Sequence, residues 1–142
     1  MKVKVVFSIL MILCVATIMV GCQRVETMAL LDEKISQINI SESNGAGEMN
    51  DEILLSINDK ESLDVFEKVI TTAIKQSSKV DKSKPDYDVM VEYEAGLPTH
   101  GIHLWLGKEN EKSSFMYVTN DSIYLTSPQM TKELRRLLLS EW

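Results

Sequence analysis

The sequence predicts an α+β domain, an antiparallel sheet of about five to six strands with two helices packed on one of its faces. Three observations carry this. Apolar side chains recur at helical spacing from Leu63 to Ile74 and from Met130 to Leu138, whereas the stretches before and between them alternate with period two. The alternating runs are joined by short turn-rich connections, which antiparallel pairs tolerate and parallel pairs do not. Asp86 to Glu94 alternates cleanly between polar and apolar residues, as a strand buried on one side only must.

In chain order, Ile38 and Ile40 mark a first strand, and the turn-forming stretch 43–50 separates it from a second apolar run, Ile53 to Ile57. Asp59 is placed to cap a helix over Lys60 to Gln76, in which Leu63, Phe66, Val69, Ile70, Ala73 and Ile74 share one stripe. After Pro85, Tyr87, Val89, Val91 and Tyr93 point one way and Asp86, Asp88, Met90, Glu92 and Glu94 the other. Ile102, Leu104 and Leu106 alternate with His103 and Trp105 on the next strand. Two further strands follow at Phe115 to Thr119 and Ile123 to Thr126. Ser127-Pro128 opens a closing helix with Met130, Leu134, Leu137 and Leu138 on its apolar side.

The amino terminus has a different logic. Lys2 and Lys4 precede an uncharged apolar run of 16 residues, Val5 to Val20, shorter than the roughly 20 a membrane-crossing helix needs. A basic head and a short apolar segment form a secretory signal, and Gly21 before Cys22 adds a small residue ahead of a cysteine. This arrangement resembles the bacterial lipoprotein signal, which implies cleavage between Gly21 and Cys22 and lipidation of the Cys22 sulfur. Met19 departs from the usual leucine of that signal. An uncleaved signal anchor is the competing reading. The expected organisation is a signal peptide over 1–21, a short tether over 22–33 and a single domain over 34–142. Two acyl chains give stable anchoring, so the domain is expected at the cell membrane, facing its extracytoplasmic side.

Composition narrows the function. The 142 residues suffice for one domain. Acidic residues outnumber basic ones 21 to 15, which speaks against a nucleic-acid partner. Cleavage removes Lys2 and Lys4 and leaves 13 basic side chains against 21 acidic, a charge of −8. A domain so charged is expected to stand off an anionic lipid surface. Cys14 leaves with the signal and Cys22 carries lipid, so no disulfide is expected in the mature domain.

Few side chains invite chemistry. His100 and His103 are three apart on one strand and face opposite sides, a poor metal pair, so a structural or surface role is the simpler reading and no metal or cofactor is expected. No serine stands in a G-x-S-x-G elbow. Gly45 and Gly47 lack the lysine and hydroxyl of a phosphate loop and read as a turn. Asp86, Asp88, Glu92 and Glu94 form an acidic stripe that is simplest as a solvated face, since carboxylates strung along a strand cannot converge on one ion. Trp105 shares the face of His103, away from the helices. A binding surface of Trp105, His103, Asp88, Glu92 and Glu94 is therefore expected on the open sheet face. Trp142 reads as a packed or frayed terminus.

Ser43-Asn44-Gly45 with Gly47 and Asn50, Pro85-Asp86-Tyr87-Asp88-Val89, Leu104-Trp105-Leu106 and Ser122-Ile123-Tyr124 before a Leu-rich final helix together resemble the YhfM-like lipoproteins of Bacillus-type Gram-positive bacteria. The likeness runs from about Ile38 to Leu138. It implies lipid attachment and one small domain and supplies no catalytic residue. The expected function is a membrane-anchored binding domain for an envelope protein or cell-surface ligand, without catalysis. A small envelope enzyme or inhibitor acting on cell-wall material is the alternative, and a passive spacer a third reading.

Overall fold

The computed structural model describes residues 1–18, 24–77 and 83–140; Gly21 and Cys22, on which the lipidation reading rests, and Trp142 lie outside them. Lys2–Ile18 forms helix α1. Among the described residues no helix is long and apolar enough to cross a membrane. The domain then runs β1 (Ile35–Glu42), β2 (Ile53–Ile57), α2 (Lys60–Thr71), β3 (Ile74–Lys75), β4 (Tyr87–Tyr93), a 3-10 turn (Glu94–Gly96), β5 (His100–Trp105), β6 (Ser114–Tyr117), β7 (Ile123–Leu125) and α3 (Pro128–Leu139).

The strands form one antiparallel sheet in the order β2-β1-β4-β5-β6-β7-β3. It has seven strands where the sequence suggests five to six, and α1 adds a helix to the expected two. The extra strand is β3. The helical stripe is expected to reach Gln76, but α2 ends at Thr71 and the chain turns so that Ile74 and Lys75 pair with Leu125 and Tyr124 of β7. Ile74 lies four residues after Ile70 and so fits the helical spacing, yet it is 45% exposed. Two residues are too few to reveal a period of two.

The expected side of the sheet carries the core. Register pairs Ile38 with Val91, Ile40 with Val89, Val89 with Ile102 and Leu104 with Phe115, all buried on one face. Against them pack Leu63, Phe66, Val69 and Ile70 of α2 and Leu134, Leu137 and Leu138 of α3. Phe66 is fully buried, a contribution of about 2–3 kcal/mol. Both helices start as the sequence dictates. The Asp59 carboxylate accepts from the Ser62 N–H at 2.9 Å, a bond that lowers its pKa, and Ser127 Oγ accepts from the Met130 N–H at 3.2 Å with Pro128 following.

The stretch read as a tether, 22–33, is part of the domain from Glu26 onward. The Glu26 carbonyl accepts from the Lys75 N–H at 2.8 Å, Thr27 bridges to Ile74, and the Met28 N–H donates to the Ala73 carbonyl at 2.9 Å. Met28 is buried in the core. Further on, the Ala29 backbone is held by the Tyr117 hydroxyl and the Leu31 N–H donates to the Tyr93 hydroxyl at 3.2 Å. The segment has no period because it is a single strap across the end of the sheet, held by groups far along the chain.

Candidate functional site

On the face away from the helices, Asp88 of β4 and His103 of β5 are register partners. His103 Nδ1 lies 2.8 Å from Asp88 Oδ1. The Gly47 N–H donates to His103 Nε2 at 3.2 Å, so Nε2 is the acceptor and the ring proton sits on Nδ1, donated to Asp88. The other Asp88 oxygen accepts from the Asn50 N–H at 2.9 Å. Ser41 Oγ donates to the Asn50 carbonyl at 2.7 Å. Asp88, with both oxygens accepting, is geared to be a carboxylate. These bonds fasten the loop 43–50 down on the sheet. Gly45 and Gly47 supply its turns, with φ of +138° and +113°. Met49 lies against Gly101, where a Cβ would meet its sulfur at 3.3 Å.

The five residues expected to form one surface do not converge. His103 and Asp88 are completely buried, so neither belongs to an exposed surface; the loop 43–50 covers the middle of the face that alternation alone leaves open. Trp105 lies at one end of the face, half-buried, with its Nε1–H donated to the Ser83 carbonyl at 2.9 Å and its ring edge-on to His103. Glu92 lies at the other end, opposite Gln37. Glu94 has left the strand for the 3-10 turn, where it is exposed and 2.6 Å from Lys34 Nζ. The acidic stripe is solvated in part, with Asp86 and Glu94 exposed, Glu92 half-buried and Asp88 sealed. Asp86 accepts from the Leu106 N–H at 2.8 Å and Glu92 is tied into a network.

That network is what sequence reasoning missed. Asn39 Nδ2 donates to Glu92 Oε1, while Asn39 Oδ1 accepts from Gln37 Nε2 and from Ser56 Oγ, each at 2.7 Å. Four side chains from β2, β1 and β4 are thus pre-ordered on the uncovered end of the face. Beside them Ile53 and Leu54 of the edge strand β2 are 54% and 41% exposed. A register irregularity between Ile40 and Ser41 displaces Leu54 from the pairing. The available signal is the polar side of β1, Gln37, Asn39 and Ser41, which alternates with Ile38 and Ile40.

His100 is on the helix side, 2.7 Å from the Tyr93 hydroxyl through Nδ1, with its ring edge-on to Tyr93 and tilted against Tyr117. Burial lowers its pKa and raises those of Tyr93 and Tyr117. The Tyr93 hydroxyl accepts from the Leu31 N–H and shares a hydrogen bond with His100 Nδ1. The cluster holds the strap. Among the described residues there is no group of three or more His, Cys, Asp or Glu side chains placed to hold a metal ion.

Comparison with known proteins fits this architecture. The YhfM protein family model matches residues 32–141, and the chain belongs to that family. No curated protein matches it in sequence. Among solved structures, it is similar to a thioesterase-like protein from Clostridium sporogenes, with a TM-score of 0.57 and 16% identity over 74% of this chain and 94% of that one. At that identity the likeness is one of fold. It nevertheless corrects the expectation of a non-enzyme. That expectation rested on the lack of a local motif, and a fold found in a thioesterase-like protein cannot be held non-catalytic on that ground.

Proposed function

We propose that the chain is a lipid-anchored domain on the extracytoplasmic side of the cell membrane that binds an envelope protein through the β2 end of its sheet. The anchor is supported by Lys2, Lys4, the apolar run and Gly21-Cys22. Recognition is carried by one observation: the edge strand exposes Ile53 and Leu54 next to the ordered Gln37–Asn39–Ser56–Glu92 array. A free edge offers backbone donors and acceptors to an extended segment, and flanking side chains select its sequence. The array needs no reordering on binding, which spares entropy. The test is in-cell crosslinking of the full-length protein followed by mass spectrometry. One dominant protein should be recovered with the parent and with Trp105→Ala and be lost with Leu54→Lys. Equal recovery with Leu54→Lys would remove β2 from the reading.

A second reading is favoured by the fold likeness together with the Asp88–His103 pair. A carboxylate-oriented imidazole is what a general base requires. Here its Nε2 is occupied by the Gly47 N–H, so hydrolysis of an acyl thioester would need the loop 43–50 to lift. Turnover of a panel of acyl thioesters, abolished by His103→Gln in a folded protein, would favour this reading over simple binding.

A further inference from the structure

The strap limits how far an acidic domain on a Cys22 anchor can stand off the lipid. If Cys22 bears the anchor, only residues 23–25 separate it from Glu26, which is already fixed to Lys75 by its carbonyl and by a 2.8 Å ion pair. Four Cα-to-Cα steps reach at most about 14 Å. The end of the domain around Glu26 is therefore held within that distance of the membrane surface, whatever the charge of the rest.

From this we infer that the β3 end of the domain rests on the bilayer that holds the anchor. The inference depends on the lipidated Cys22 of the proposed function, and it adds which face meets the lipid. Two exposed large apolar side chains, Val25 and Ile74, lie immediately before the strap and on the strand it covers, 64% and 45% exposed. Next to Ile74 is a shallow groove lined also by Leu125, Pro128, Met130 and Lys112. The charges here differ from those of the whole chain. Lys112 lines the groove and Arg24 precedes Val25, while Lys75 and Glu26 neutralise each other in their ion pair. An apolar patch with these two basic side chains beside it suits the headgroup region of an anionic leaflet. The far edge of the sheet, β2, is then six strand spacings away, about 29 Å measured along the sheet.

The experiment uses the full-length protein, processed in a bacterial host and reconstituted into vesicles of phosphatidylethanolamine and phosphatidylglycerol. A thioether-linked Cys22 leaves no free thiol in the mature chain, so Gln76→Cys, Lys112→Cys or Glu52→Cys provides a single labelling site. An environment-sensitive fluorophore is then read against a lipid-borne quencher. Quenching should be several-fold stronger at 76 and 112 than at 52. A Gly/Ser insertion of about a dozen residues between Arg24 and Val25, with a span of about 20 Å, should weaken quenching at 76 and 112 far less than proportionately, because the patch itself holds the surface. Intact mass separates the two possible failures. A mature chain without the diacylglyceryl mass overturns the anchor and the inference with it. A lipidated chain quenched equally at all three sites overturns the orientation while the anchor stands.

Discussion

Replacing His103 with leucine tests whether the buried pair holds the loop 43–50 in place. The substitution leaves the Asp88 carboxylate fully buried with the Asn50 N–H as its remaining partner and takes the acceptor from the Gly47 N–H. Depriving a buried, charged acceptor of a hydrogen-bond partner costs about 1–3 kcal/mol or more. The loss is large against the stability of about 5–15 kcal/mol typical of a domain. Asp88→Val with His103→Leu removes the stranded charge, so the double variant should be more stable than His103→Leu alone, although Gly47 and Asn50 N–H groups both lose acceptors. Urea unfolding of the four proteins gives the coupling energy. Hydrogen exchange adds the local readout, because the amides of Gly47 and Asn50 should lose protection well before those of β4. A loss under about 1 kcal/mol for His103→Leu, or additive single effects, would refute the argument.

Three other predictions concern the frame. Met28→Ala should cost about 2–5 kcal/mol, as for a buried core methionine, and free the Glu26–Leu31 strap to proteolysis; an unchanged urea midpoint would return that segment to the status of a tether. Ser127→Ala removes the acceptor at the start of α3 and should cost about 1 kcal/mol, measured by the same unfolding. The third is a pH profile. Burial lowers the pKa of His100 from 6.5, so the unfolded chain takes up that proton first, and stability should fall as pH drops below that value. Burial raises Tyr93 and Tyr117 above 10.0, so stability should fall again as pH rises past it. His100→Gln should flatten the acid limb near pH 6.5 and Tyr117→Phe the alkaline one, followed by thermal melts.

Periodicity made most of this fold legible. The alternation from Tyr87 to Tyr93 and the stripe from Leu63 to Ile70 identify the inner faces of β4 and α2, because each is long enough for its spacing to be distinctive. The same parity rule places His103 and Trp105 on the outer face. It cannot say whether that face meets water, since the cover comes from the loop 43–50, whose Gly47 is 56 positions from its partner. Burial of Asp88 follows from the loop and not from its own strand. The strap was illegible for a related reason. Met28 is one apolar residue in an aperiodic stretch, and only the tyrosines at 93 and 117 disclose why the chain lies there.

Strand order gives the two proposed surfaces a common explanation. A seven-strand open sheet has two edges, and an edge must be covered or it recruits a neighbour. The β3 edge is covered by the strap, Thr27 against Ile74, on the short route toward Cys22. The β2 edge is flanked by Asp51 and Glu52 before it and Asp59 after it. Negative charge at both ends discourages two copies from pairing edge to edge, since like charges would meet in an antiparallel match. It leaves the exposed apolar start of the strand, Ile53 and Leu54, for a segment with basic flanks. An anchor at one edge and a selective, charge-guarded strand at the other would hold β2 away from the lipid, where a partner can reach it. Reversing the guard, with Asp51→Lys and Glu52→Lys together, should therefore weaken recovery of a basic-flanked partner without altering the lipid-proximal labels at 76 and 112. If partner recovery is insensitive to the guard charges, edge pairing is not how this domain recognises its target.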